Sequence, residues 1–189
     1  LIADLDNDGW KDIFITNGTR RDINNKDYFA KIKNTWGAEL NNSALELVEG
    51  IPSEKISNYV FQNNHDLSFS NASQNWGLDF FGYSNGSAVA DFDNDGDLDL
   101  VVSNIDSAAA IYQNKSREQN QNNYIQFGFT GSDQNKFGLG SKIRIETGDS
   151  IQYQELSLTR GFQSSSEPLM HFGLGKTKTM DKVTVTWPD

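Results

Sequence analysis

The segment Ile2–Asn17, IADLDNDGWKDIFITN, returns 87 positions later as Val89–Asn104, VADFDNDGDLDLVVSN. Asp4, Asp6, Asn7, Asp8, Gly9, Asp12 and Asn17 align with Asp91, Asp93, Asn94, Asp95, Gly96, Asp99 and Asn104. Two copies this similar mark a structural unit used twice. In each, a short apolar lead-in meets an acidic turn, and an apolar run leaves it: Ile13-Phe14-Ile15 in one, Leu100-Val101-Val102 in the other. That order predicts strand, loop, strand.

The loop pattern D-x-D-x-D-G-x-x-D gathers acid that needs a counter-charge. Nine of the chain's 18 Asp lie in the two segments, where a solvated face would mix Asp with Glu and Lys. Alternate side chains of a tightly curled loop converge, Gly9 and Gly96 permit the turn, and the carbonyl at position 7 can face the same point. The candidate metal ligands are Asp4, Asp6, Asp8, Trp10 (carbonyl) and Asp12, then Asp91, Asp93, Asp95, Asp97 and Asp99. Asp97 stands at the carbonyl position, so it contributes by backbone or by side chain. Hard oxygen donors in that number suit Ca²⁺, which takes six to eight at about 2.3–2.6 Å. They suit Mg²⁺ less, and without His or Cys they suit Zn²⁺ or Cu²⁺ poorly. Two Ca²⁺ sites are therefore expected, and without metal the like charges are expected to raise carboxylate pKa values. An EF-hand would need Glu at position 12, where Ile15 and Val102 stand.

Between the copies, Asn24–Lys33 and Asn42–Glu49 have helical spacing, with Tyr28, Phe29 and Ile32 on one face and Pro52 stopping the second helix. They read as a helical insertion at about 24–50. Short strands are expected at Tyr59-Val60-Phe61 and Leu67-Ser68-Phe69. After the polar linker at about 118–123, strands are expected at Tyr124–Phe129, Ser141–Glu146, Ile151–Leu158, Leu169–Phe172 and Lys182–Trp187. The two Phe-Gly-Leu-Gly tetrapeptides, at 137–140 and 172–175, mark bulges or tight turns.

Several function classes lose support. With no Cys, disulfide scaffolds, thiolate metal sites and Cys nucleophiles are excluded. A net charge of −10 disfavours nucleic acid and anionic lipid surfaces, and no apolar run approaches a membrane span. Gly82-Tyr83-Ser84-Asn85-Gly86 matches G-x-S-x-G, but a strand rather than a helix is expected to follow Ser84. Gly175-Lys176-Thr177 lacks the earlier Gly of a phosphate loop, since Met170 stands there. His65 and His171 read as structural. Tyr153, Glu155, Arg160 and Phe162 either line a recognition surface or pair locally. The chain opens on Leu1 rather than Met, and it is expected to be part of a longer one.

The frame FGYSNGSAVADFDNDGDLDLVVSN resembles an FG-GAP (VCBS-type) repeat, the calcium-loop blade of integrin-like β-propellers. NNYIQFGFTG, NKFGLGSKIRI, YQELSLTRGFQSSSEPLMHFGLG and DKVTVTWPD resemble the ASPIC/UnbV domain. The resemblance implies a mainly β chain: partial integrin-α-like propeller blades over 1–117 with the helical insertion, then an all-β C-terminal module over 122–189. It implies the two Ca²⁺ sites named above and an extracellular, non-enzymatic role in adhesion or in binding a protein or glycan. The alternative is part of a secreted carbohydrate-active or other hydrolytic enzyme whose catalytic residues lie elsewhere. Two blades cannot close a propeller ring.

Overall fold

Each aspartate loop joins two antiparallel strands. In the computed structural model, which describes residues 1–35, 48–159, 161 and 163–188, the first loop connects β1 (Ile2–Ala3) to β2 (Asp12–Ile15). The second connects β7 (Ser84–Ala90) to β8 (Asp99–Asn104). β2 continues into β4 (Tyr59–Asn63) and β5 (Phe69–Asn71), making a four-stranded antiparallel sheet in the order β1-β2-β4-β5. The second sheet is β7-β8-β9, with β9 at Ala110–Tyr112. A short pair, β3 (Ile56–Ser57) with β6 (Phe81–Gly82), links them.

Strand alternation sets which side chains meet between the two sheets. Phe14 and its cross-strand partner Val60 point inward, as do Val89, Leu100 and Val102, and with Ala3, Leu5, Ala72, Leu78 and Leu98 they form one core. The other face of the first sheet is apolar too: Ile2, Ile15, Tyr59 and Phe69 are exposed, and Ile13 pairs with Phe61.

The expected helical insertion lies inside the first sheet, between β2 and β4. Its first helix is α1 (Lys26–Thr35), started by Asn25, whose Oδ1 accepts from Tyr28 N at 2.9 Å. The second expected helix falls mostly on 36–47, outside the described residues. The polar stretch expected as a linker instead opens with a short helix, α2 (Ser116–Asn120).

The C-terminal strands are β10 (Asn123–Gly128), β11 (Lys142–Thr147), β12 (Ser150–Glu155), β13 (Leu169–Gly175) and β14 (Lys182–Thr186). β10 pairs with β13, and β11 lies between β12 and β14. Ile143, Ile145, Leu156, Met170 and Phe172 form a second core. The first Phe-Gly-Leu-Gly is a turn, with Gly138 and Gly140 at positive φ. The second ends β13, where the register with β10 skips between Gly173 and Gly175. No helix among the described residues is long and apolar enough to cross a membrane. Ser84 opens a strand, buried between Asn58 and Asn104, so the G-x-S-x-G match has no elbow.

Candidate metal centre

Both loops curl through the same backbone conformations. Asn7 and Asn94 sit at φ 60° and 58°, and Gly9 and Gly96 at 97° and 91°. The left-handed Asn is tolerable because its short polar side chain can bond locally, and Gly carries no penalty there. The turn is closed by the first Asp of each loop. Asp4 accepts from Asp8 N (3.2 Å) and Gly9 N (2.9 Å), and Asp91 from Asp95 N and Gly96 N (both 3.1 Å). The last Asp ties the loop down. Asp12 accepts from Leu5 N and Asn63 N (both 3.0 Å), and Asp99 from Phe92 N (2.9 Å) and Asn114 N (2.8 Å).

These bonds bring carboxylate oxygens of Asp4, Asp6 and Asp8 within 4.8 Å of one another, and likewise those of Asp91, Asp93 and Asp99. A hard divalent cation fits such an all-oxygen set. Asp12 stands outside the first trio and Asp95 outside the second. Trp10 and Asp97, the carbonyl positions, send their side chains elsewhere. Trp10 stacks on His65 with ring centroids 5.0 Å apart, and His65 Nε2 lies 2.6 Å from Asp8 Oδ2. The Asp97 carboxylate is fully buried and accepts from Asn7 Nδ2 (2.8 Å), Ser116 Oγ (3.0 Å) and Arg117 N (2.9 Å). It caps α2, a carboxylate on the Arg117 amide and the Ser116 hydroxyl of the first turn.

Four further residues serve the loops. Gln62 and Gln113 donate from Nε2 to Asp6 Oδ2 (2.9 Å) and Asp93 Oδ2 (2.6 Å). Asn63 and Asn114 hold Asp12 and Asp99 through their backbone N–H, and their side chains donate to Lys11 O and Leu98 O, which are equivalent positions. The sequence signal was an aromatic-Gln-Asn triplet, Phe61-Gln62-Asn63 and Tyr112-Gln113-Asn114. The insertion hides it, since Asn63 follows Asp12 by 51 positions while Asn114 follows Asp99 by 15.

Burial, more than the neighbouring charges, strains the first loop. It pushes the carboxyls of Asp4 and Asp12 up to about 7, with Asp8 and Asp6 adding repulsion and Lys11 pulling Asp4 back. Asp6 and Asp95 are also raised, again mainly by burial. Like charge, expected from sequence as the cause, is the smaller contribution.

The C-terminal strands cover the loops. His171 of β13 reaches Asn7 Oδ1 at 2.5 Å through Nε2, while Gln126 lies 3.3 Å from Nδ1. Both amide hydrogens of Asn7 are engaged with Gly96 O and Asp97, so Nε2 donates, and Nδ1 accepts from Gln126 Nε2, which is the pattern of a neutral ring. Burial, with a smaller push from Lys11, lowers the His171 pKa to about 4. Tyr124 stacks on His171 at 5.4 Å, and Arg117 lies over the Tyr124 ring at 5.0 Å. Of the residues considered for a C-terminal recognition surface, Tyr153 is exposed and Glu155 pairs with Lys142, while Arg160 and Phe162 lie outside the described residues.

Acidic hairpin loops, used twice in a mainly β chain and able to hold a metal ion, define the class of this protein. The FG-GAP-like repeat profile matches residues 4–102, just over half of the chain, and the chain belongs to that family. The ASPIC and UnbV profile matches residues 131–189. Cartilage acidic protein 1 of Xenopus tropicalis is 34% identical over 113 residues, 57% of this chain and 17% of the relative. The Homo sapiens protein of that name is 34% identical over 109 residues, 57% of this chain and 16% of the relative, and the Mus musculus one 32% over 116. The chain therefore spans a small part of the curated relatives it matches.

Proposed function

We propose that this chain is part of a non-enzymatic, calcium-stabilised binding or adhesion module that works outside the cell. The observation that carries this reading is the pair of loops with one shared hydrogen-bonding plan, each presenting three carboxylates within 4.8 Å. Asp4, Asp6, Asp8 and Asp12, with the Trp10 carbonyl, would hold one ion. Asp91, Asp93, Asp95 and Asp99, with the Asp97 carbonyl, would hold the other. Bound Ca²⁺ supplies charge neutralisation there. The residues themselves do the rest: Gln62 and Gln113 orient the third-position carboxylates, and Asp12 and Asp99 fix the loops to their third strands. Extracellular calcium fills even loops of about 10⁻⁴–10⁻³ M affinity.

The propeller arrangement is part of the same proposal. Its support is the second apolar face of the first sheet, with Ile2, Ile15, Tyr59 and Phe69 exposed, which suits packing against another sheet. A protein or glycan partner has room in a cleft of about 390 Å³ between the two sheets, walled by Trp76 and Tyr112 and rimmed by Gln62, Asn75, Gln113 and Gln119.

A hydrolytic reading draws on a second cavity of about 230 Å³, where Lys11, Glu155, Glu167 and His171 converge. Both ring nitrogens of His171 are already engaged and Glu155 pairs with Lys142 at 3.6 Å, which disfavours His171 and Glu155 as a catalytic couple. The test is thermal unfolding. Calcium added to chelated protein should raise Tm, and Asp93→Ala with Asp95→Ala should remove most of that gain. An unchanged Tm in excess calcium would end the proposal.

A further inference from the structure

Asn7 lies between two candidate ligands, Asp6 and Asp8, and is 1% exposed. Its side chain is committed in three directions. Nδ2 donates to Gly96 O (3.0 Å) and Asp97 Oδ1 (2.8 Å) of the second loop, and Oδ1 accepts from His171 Nε2 (2.5 Å) of β13. Its carbonyl accepts from Gly175 N at 2.9 Å. Asn94, at the matching position and the same φ, is exposed and forms no side-chain hydrogen bond among those described. The repeat is symmetric in backbone and asymmetric in wiring.

The neighbours of Asn7 leave β13 little freedom to sit elsewhere. A Cβ on Gly173 would run into the Asp4 carboxylate and the Asn7 backbone. Asn122 Nδ2 donates to Asp6 O at 2.9 Å, and Gln126 Nε2 lies 3.4 Å from Asp91 Oδ2. One strand and its partner therefore touch the first Asp of both loops.

We propose that Asn7 is a positioning residue that makes the two aspartate loops and strand β13 a single calcium-dependent unit. Its left-handed backbone sets the directions of Asp6 and Asp8. Its amide passes that order to the second loop at Gly96 and Asp97, and its oxygen passes it to β13 through His171. A buried, fully satisfied polar network holds one arrangement firmly and tolerates partial disruption poorly. Ordering the first loop around an ion lowers the cost of ordering the second, and each loop helps the other equally. This inference rests on the calcium reading above.

The experiment is a calorimetric Ca²⁺ titration of the whole chain, with amide hydrogen exchange of residues 169–175 followed across it. Wild type should bind two ions with a Hill coefficient above 1, and β13 should gain protection at the same midpoint. Asn7→Gly keeps the φ of 60° accessible while deleting the amide. It should still bind two ions, with the coupling between them reduced about 5-fold or more and β13 protection no longer following calcium. If Asn7→Gly fails to fold, His171→Leu, which deletes the donor and keeps an apolar side chain, should uncouple β13 while leaving the two loops cooperative. Two ions bound by wild type, with isotherm and β13 protection unchanged in Asn7→Gly (or protection unchanged in His171→Leu), would overturn this inference alone. No calcium bound by wild type would overturn it together with the reading beneath it.

Discussion

The two aspartate loops share six of their nine loop residues and nearly identical backbone angles at Asn and Gly, yet they live in different surroundings. In the first, Asp4 and Asn7 are buried under β13 and Leu5 in the core between the sheets, while the second half opens to solvent at Trp10. In the second, Phe92, Asp93 and Asn94 are exposed, while Gly96 and Asp97 are buried against Asn7 and α2, and Leu98 and Leu100 in the core between the sheets. The same motif is thus packed from its front half in one copy and from its back half in the other. Loop conformation is local, set by Asp–amide bonds within nine residues. The electrostatic cost of each carboxylate is tertiary, set by what lies over it.

The largest expected difference follows from Asp4 and Asp91. Asp4→Ala empties a side-chain site that is 1% exposed and leaves the Gly9 amide without its partner, while Asp8 N keeps Asp6 Oδ1; one buried unpaired donor costs about 1–3 kcal/mol. Asp91→Ala removes the matching bonds to Asp95 N and Gly96 N, but Asp91 is only half-buried, so the deletion leaves less buried space behind. Urea unfolding of the metal-free proteins should find Asp4→Ala the more destabilising of the two. Equal losses would mean that the burial difference has no energetic weight.

Next in size is a contrast between the loop glycines. Gly9→Ala and Gly96→Ala share the cost of a left-handed Cβ, roughly 1–2 kcal/mol. At Gly96 the new methyl also runs into the Tyr124 ring, whereas at Gly9 it meets the Gln152 amide at 3.2 Å and the Gly173 carbonyl at 3.3 Å, tight contacts but not overlaps. Gly96→Ala should be worse by about 1–3 kcal/mol, the usual cost of overpacking. The same urea titrations measure it, and Tyr124→Leu should narrow the gap.

The third contrast is the pH dependence of the metal-free protein. Asp4 and Asp12 have folded pKa values raised from 3.8 to about 7, so their contribution to stability is fully present below 3.8 and lost as pH rises through about 7. His171 works the other way. Its folded pKa is lowered from 6.5 to about 4, so its contribution is present above 6.5 and lost as pH falls through about 4. In Asp4→Asn with Asp12→Asn, stability between pH 4 and 7 should rise with pH, exposing the His171 slope that the two carboxyls offset in wild type. A Tm series in chelator checks the sign.

Much of the local architecture was legible from the chain. The repeat located both hairpins, because strands flanking a polar turn and Gly at a left-handed position are short-range facts. The five C-terminal strands fell within two or three residues of their expected bounds for the same reason. The α2 helix was missed because its cap, Asp97, comes from 19 positions away. The aromatic-Gln-Asn triplets were missed because the insertion places them at unequal distances from the loops they serve.

Sequence by itself determined the two acidic hairpins, the oxygen-only donor set and the mainly β chain, since spacing, residue chemistry and strand alternation act over a few residues. Only the tertiary structure decided that Asp97 turns from the loop to cap α2. It alone decided that Asn7, and not Asn94, joins the loops to His171, 164 positions away. The physical reason is that a hydrogen bond is chosen by what folding brings within 3 Å, and burial by what folding lays on top. Identical motifs carry no record of either.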